Sequence, residues 1–156
     1  MNVRGFTLIE LVITLAIVGL LATAAMPLAQ LVSKREKEAE LRAALRDIRG
    51  ALDAYKLAAQ GGHIKLEVGA SGYPPDLKSL YAGVEDQMSD KKVDLYFLRR
   101  IPRDPFFPDA SLPAEETWGL RSYKSPADDP QPGDDVYDVY SMSSGKGLNG
   151  VTYRDW

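Results

Sequence analysis

No cysteine occurs in this chain of 156 residues, so neither a disulfide framework nor a thiolate-ligated metal is available to it. A small secreted or periplasmic domain usually leans on disulfides, so some other tie would be needed here. Histidine occurs once, at His63, in a glycine-flanked loop. A histidine-based triad would have to use that residue, and no HExxH, GxSxG or paired-cysteine pattern is present. Gly145-Lys146 resembles a fragment of a phosphate-binding loop, but Tyr140 stands where the first glycine belongs and Gly147 replaces the required Ser or Thr. The chain is therefore not expected to be an enzyme, and His63 reads as a surface residue. An excess of positive charge is lacking too. Residues 1–60 hold 8 Lys/Arg and 6 Asp/Glu, while residues 61–156 hold 11 and 16. The distal part is acidic, and no nucleic-acid partner is expected.

What the chain does have is one long apolar run. From Phe6 to Val32 only Glu10 carries a formal charge. As helix, these roughly 27 residues reach about 40 Å, enough to cross a hydrocarbon core of about 30 Å. An ionised side chain near the centre of a membrane helix costs roughly 2.5–3.5 kcal/mol on insertion scales, which makes Glu10 a functional residue by default. A Glu at the helix end that snorkels to the headgroups is the plainer alternative. Before it stand a short basic leader, Met1-Asn2-Val3-Arg4-Gly5, and a small-to-aromatic junction, Gly5-Phe6, that a peptidase could cut. A secretory signal peptide competes with this reading, with Ala22-Thr23-Ala24-Ala25-Met26 as its cleavage site. Against it, the apolar stretch runs on past that point and the charged leader is only a few residues long. Arg4 favours a cytoplasmic start, yet Lys34, Arg35 and Lys37 beyond the span favour the same side, so charge alone does not orient the helix.

Between Ser33 and Gln60 the run becomes amphipathic. Leu41, Leu45, Ile48, Leu52 and Tyr55 recur at steps of four, three, four and three, which puts them on one helical stripe. Glu38 with Arg42, and Arg49 with Asp53, are spaced for i,i+4 pairing on the exposed side. Gly61-Gly62 ends the helix. Span and amphipathic half thus read as one helix of about 55 residues. Within it, Pro27 removes a backbone donor and Gly19 weakens the same stretch, so a kink or local melting is expected. Beyond Gly62 the periodicity breaks up. Pro74 to Tyr81 suggests a short helical turn with a Leu77/Leu80/Tyr81 face, and Asp94 to Arg100 a short helical or extended piece. Trp118–Tyr123 and Val136–Ser141 are the best strand candidates, expected to pair antiparallel and to pack on the amphipathic helix. The fold class is α+β: a long N-terminal helix, membrane half plus amphipathic half, packed on a small antiparallel head.

Arg4-Gly5-Phe6-Thr7-Leu8-Ile9-Glu10 resembles the prepilin leader of the type IV pilin-like family. The distal segments Tyr73-Pro74-Pro75-Asp76-Leu77, Ile101-Pro102-Arg103-Asp104-Pro105-Phe106, Trp118-Gly119-Leu120-Arg121-Ser122-Tyr123 and Asp138-Val139-Tyr140-Ser141, with Trp156, are most similar to the major pseudopilins of type II secretion. The resemblance implies a leader at residues 1–5, a transmembrane and filament-core helix at 6–32, an amphipathic helix at 33–60 and a periplasmic head at 61–156. It implies that a prepilin peptidase cuts between Gly5 and Phe6 and N-methylates Phe6. Glu10 would then pair with the Phe6 amine of an adjacent subunit during assembly, and the helix between Gly19 and Pro27 would loosen in the filament. The implied partners are further copies of the chain, minor pseudopilins, an inner-membrane assembly platform and the lipid bilayer. The implied location is the bacterial inner membrane, single-pass with the head in the periplasm, and the filament drives protein export across the outer membrane. A type IV pilin of a surface fibre for adhesion, motility or DNA uptake is the alternative, and a membrane-anchored periplasmic binding module that never polymerises is a third reading. The resemblance also implies a calcium ion after the Asp138–Ser141 strand. Here Ser141 to Gly150 contains no carboxylate, Lys146 adds a positive charge, and only Asp138 and Asp155 flank the loop, so the residues weigh against calcium.

Overall fold

A computed structural model describes residues 5–156; Met1 to Arg4, in the expected leader, lie outside the described residues. Helix α1 runs Leu8–Gln60, 53 residues, and remains helical through Gly19 and Pro27. The chain divides into two compact units, Met1–Lys37 and Glu38–Trp156. In the first unit, apolar side chains such as Leu8, Val12, Leu15, Leu20, Met26 and Leu28 are all exposed. Its most apolar window has a mean hydropathy of 2.4 with nothing buried, and by length and composition the helix could cross a membrane. An apolar surface that finds no cover within its own chain is suited to lipid or to other helices.

The second unit is built on the remaining stretch of α1. Leu41, Leu45, Ile48, Leu52 and Tyr55 are all buried, together with Ala44, Ala51 and Ala59. Each fully buried large side chain contributes about 1.5–3 kcal/mol of transfer free energy. The helix stops in a Schellman arrangement, because Gly62 adopts φ +79°. Its amide donates to the Ala59 carbonyl at 3.1 Å and the His63 amide to Ala58 at 3.0 Å. Glycine takes this left-handed conformation without a Cβ penalty.

Against the stripe fold two short antiparallel sheets. Strand β1 (Val84–Glu85) pairs with β2 (Asp94–Leu95), and β3 (Trp118–Arg121) pairs with β4 (Asp138–Ser141) in the register Trp118↔Ser141 to Arg121↔Asp138. Trp118, Val136 and Val139 share one core with Leu80, Ile101, Tyr153 and the helix stripe. The 118–123 and 136–141 strand candidates therefore pair antiparallel as expected, but both strands are shorter. The amide of Val136 donates to Pro74 and that of Ser122 to Gln131, which turns both ends away from the ladder. The proline-rich connection between β3 and β4 is pinned by Ser125, whose hydroxyl donates to Asp129 O and accepts from the Gln131 amide. The segment expected to be a short helical turn becomes a 3₁₀ turn at Lys78–Leu80. Of 94–100 only the first two residues are strand, and the amides of Phe97 and Leu98 both donate to Leu80 O.

One buried carboxylate joins the 101–106 segment to β4. Asp104 is 1% exposed; it accepts the Ser141 hydroxyl at 2.5 Å and the Phe106 amide at 2.8 Å, while its own amide donates to Thr117 Oγ1. Trp118 adds a bond from Nε1 to Pro102 O at 2.8 Å. Replacing Asp104 by Ala strands the Phe106 amide and the Ser141 hydroxyl, each at about 1–3 kcal/mol. Chemical denaturation of Asp104→Ala is expected to show a lowered midpoint with an unchanged m-value.

Candidate functional site

The Gly5-Phe6 junction lies just ahead of α1 in non-helical, exposed chain, with Phe6 89% exposed. Thr7 then caps the helix. Its hydroxyl donates to Glu10 Oε2 at 2.8 Å, its amide donates to the same oxygen at 2.9 Å, and the Glu10 amide donates back to Thr7 Oγ1 at 3.3 Å. This reciprocal arrangement is a capping box, Thr at the cap and Glu three residues on, and it satisfies amides that a helix start leaves unpaired. The carboxylate that looked isolated in the sequence is thus hydrogen-bonded within its own chain. Thr7 is a residue that hydropathy reading passes over, although the pattern Thr7-Leu8-Ile9-Glu10 carries the capping-box signature.

Gly19 and Pro27 stand further along the same exposed helix. A Cβ built on Gly19 would meet nothing within 4 Å. Proline offers no amide at position 27, so the hydrogen bond due to the Thr23 carbonyl has no donor there. The Thr23 hydroxyl itself turns back to Leu20 O at 2.7 Å. The Thr23 carbonyl thus lacks its usual backbone donor in this stretch.

In the head, the two carboxylates flanking the C-terminal loop are not gathered into a cation site. Asp138, on β4, accepts Arg49 Nε at 2.8 Å and the Val139 amide at 2.8 Å through Oδ1, and its Oδ2 lies 3.9 Å from Arg121. Arg49 thus pairs with Asp138, not with Asp53 as helical spacing suggested. A sequence count sees only the i,i+4 neighbour; the tertiary partner lies 89 residues away. Asp155 sits exposed on the 3₁₀ turn Tyr153–Asp155. Three side-chain oxygens of the loop are also engaged, since Ser141, Ser143 and Asn149 accept the amides of Ser143, Gly145 and Val151. Calcium takes six to eight converging oxygens, carboxylates prominent among them. These residues do not fit that ion. Among the described residues no group of three or more His, Asp or Glu could hold a metal.

A different carboxylate occupies the loop. Glu38 is 3% exposed. Its Oε1 accepts the Leu148 amide at 2.8 Å and the Tyr153 hydroxyl at 3.1 Å, and Oε2 lies 3.7 Å from Arg42. Arg42 also stacks on the Trp156 ring at 4.1 Å, and Arg49 Nη2 donates to Trp156 O at 2.9 Å. Placing Glu38 on the exposed side is therefore wrong. The signal was there, since position 38 precedes Leu41 by three and is in phase with the buried stripe. His63 is half exposed and its Nδ1 lies 2.9 Å from Asp86 Oδ1.

A family model described as the prokaryotic N-terminal methylation motif matches residues 1–26. The chain is 32% identical over 116 residues to a type II secretion system core protein G of Klebsiella pneumoniae, covering 70% of this chain and 73% of that protein. It is 30% identical over 139 residues to a protein of the same name from Klebsiella michiganensis, covering 85% and 88%. No solved structure matches the chain significantly.

Burial, the hydrogen bond to Glu38 and the charge of Glu38 push the Tyr153 phenol from 10.0 up to about 12, with Arg42 opposing. A raised value means that the folded head favours the neutral phenol. That contribution is whole below pH 10.0 and is lost as pH rises through about 12. The unfolding midpoint is expected to fall across this window, and Tyr153→Phe to flatten the fall; phenolate absorbance followed against pH checks the assignment.

Proposed function

Because the chain belongs to the type II secretion system core protein G family, we propose that it is the major structural subunit of a secretion pseudopilus. The role is structural rather than catalytic. In this reading residues 1–5 are a leader, 6–32 the transmembrane and filament-core helix, 33–60 the amphipathic helix and 61–156 the periplasmic head. A prepilin peptidase cuts between Gly5 and Phe6 and methylates the new Phe6 amine. The subunit waits as a single-pass inner-membrane protein until the assembly platform draws it, with minor pseudopilins, into a filament that drives export.

The observation that carries the reading is Glu10, an acid at the capped start of an apolar stretch that is otherwise uncharged to Val32 and exposed at every described side chain. In a medium of low dielectric an unpaired charge is expensive, and a charge pair formed there is strong. Cleavage converts Phe6 into a cation only four residues from that acid. The amine of one subunit and Glu10 of the next then form a contact that repeats without closing, as a filament requires. The capping box supports this sequence of events, because Thr7 holds the carboxylate hydrogen-bonded until the amine arrives. Once helices replace lipid as neighbours, the stretch between Gly19 and Pro27, where the Thr23 carbonyl lacks a backbone donor, loosens to adjust the packing.

Glu10→Ala is expected to leave cleavage and methylation at Phe6 largely intact, as read by amino-terminal sequencing and mass spectrometry. Filament assembly is expected to fail, as read by electron microscopy. Normal filaments in that variant would sink the pairing of Glu10 with the amine. Gly5→Ala carries a cruder expectation: a slowed cut, with uncleaved subunits accumulating in the membrane fraction.

A further inference from the structure

A loop of ten residues from Ser141 to Gly150, with four glycines or serines in its centre, needs an external tie to hold one conformation. A divalent cation is one such tie, because its charge lets carboxylates and carbonyls converge. The loop here has turned its polar groups the other way. Ser143 and Asn149 accept the amides of Gly145 and Val151, the Gly147 amide donates to Val151 O, and Lys146 bridges to Thr152. Such a loop presents an unmet donor, the Leu148 amide, and that donor asks for an anion rather than a cation.

Glu38 supplies the anion. It comes from the helix, is almost fully buried and takes both the Leu148 amide and the Tyr153 hydroxyl on one oxygen. The surroundings are shaped to that end. Phe106 stacks on Tyr153 at 4.0 Å and Trp156 meets it edge-on at 5.0 Å. A Cβ on Gly145 would press on the Tyr153 ring, and one on Gly147 would overlap Trp156. The two glycines therefore let the loop lie flat against the rings that frame the carboxylate. Asp138, the one acid of the adjoining strand, is held by Arg49 and lies within 4 Å of Arg121, so its charge is already matched.

We propose that the buried carboxylate of Glu38 closes the C-terminal loop in the place a calcium ion would take, so that the head reaches its full stability without any divalent cation. A charge-assisted hydrogen bond to a buried carboxylate is about twice as strong as a neutral one. Arg42 matches the charge, and the grip of Arg42 and Arg49 on Trp156 fixes the chain beyond the loop. The inference concerns the folded subunit alone and stands whether or not the subunit polymerises.

The test uses the full chain in detergent micelles, melted with near-ultraviolet circular dichroism in excess EGTA and in millimolar calcium chloride. A ligand that binds only the folded state raises the melting temperature by mass action. The expected result is one melting temperature in both solutions. A rise in calcium that EGTA reverses would overturn the proposal. The second arm replaces Glu38 by Gln and follows exchange of the Leu148 amide by NMR. Exchange should quicken by about tenfold, the loss expected when a charge-assisted bond becomes a neutral one, and calcium should not slow it again. Unchanged protection of that amide in Glu38→Gln, or its recovery with calcium, would overturn the proposal. If Glu38→Gln does not fold, Tyr153→Phe, which keeps the ring and drops one bond to Glu38, gives the same readings: a flat calcium response supports and a calcium-dependent rise overturns.

Discussion

Strands of two and four residues cannot hold themselves together in water, and isolated two-stranded ribbons are marginal at best. The head has no larger sheet than these. Everything in it therefore depends on one burial: the stripe of α1 from Glu38 to Ala59, against which the turns, both sheets and the chain end at Trp156 are laid. Buried polar groups then fix what apolar contact leaves loose. Asp104 locks β4 to the 101–106 segment, Arg49 joins the helix to Asp138, and Glu38 holds the last loop. Each connects parts of the chain far apart in sequence. In a chain without cysteine, such bonds do the connecting that disulfides do elsewhere.

Periodicity made the helix legible. The Leu41-to-Tyr55 stripe, the end at Gln60 and the antiparallel pairing of β3 with β4 all follow from spacing and glycine. Polar partners were less legible, because a charged residue in a sequence shows its neighbours and not its tertiary contacts. Arg49 looked matched to Asp53 and is bonded to Asp138; Glu38 looked solvated and is buried. Phase would have flagged Glu38, since it shares the stripe's register, but nothing local names Leu148 and Tyr153 as its partners. At the other end, hydropathy drew attention to Glu10 and missed Thr7, whose contribution lies in helix capping rather than in polarity.

A single helix thus meets two very different demands. Along its apolar stretch every described side chain faces outward, and the only formal charge, that of Glu10, is held by hydrogen bonds to Thr7. Along its amphipathic stretch the head closes over one face, and the opposite face carries Arg46, Asp47 and Asp53 to solvent. Composition changes accordingly along a secondary structure that does not. The division gives one helix an uncovered apolar stretch and a second stretch that serves as the core of a folded head.

The Glu38 contact bears on how such a head folds. Its two donors lie 110 and 115 residues downstream, and the Arg49 contact with Trp156 spans 107. Contacts of such long range raise contact order, and loops of that size must be closed before the contacts give anything back. A head tied this way cannot be completed while it is being synthesised. The amphipathic stretch of α1 emerges first and keeps part of its apolar stripe uncovered until Val139 and Tyr153 follow. For that interval the nascent chain presents sticky surface, and passage to the folded state depends on whatever shields the helix before its own tail arrives.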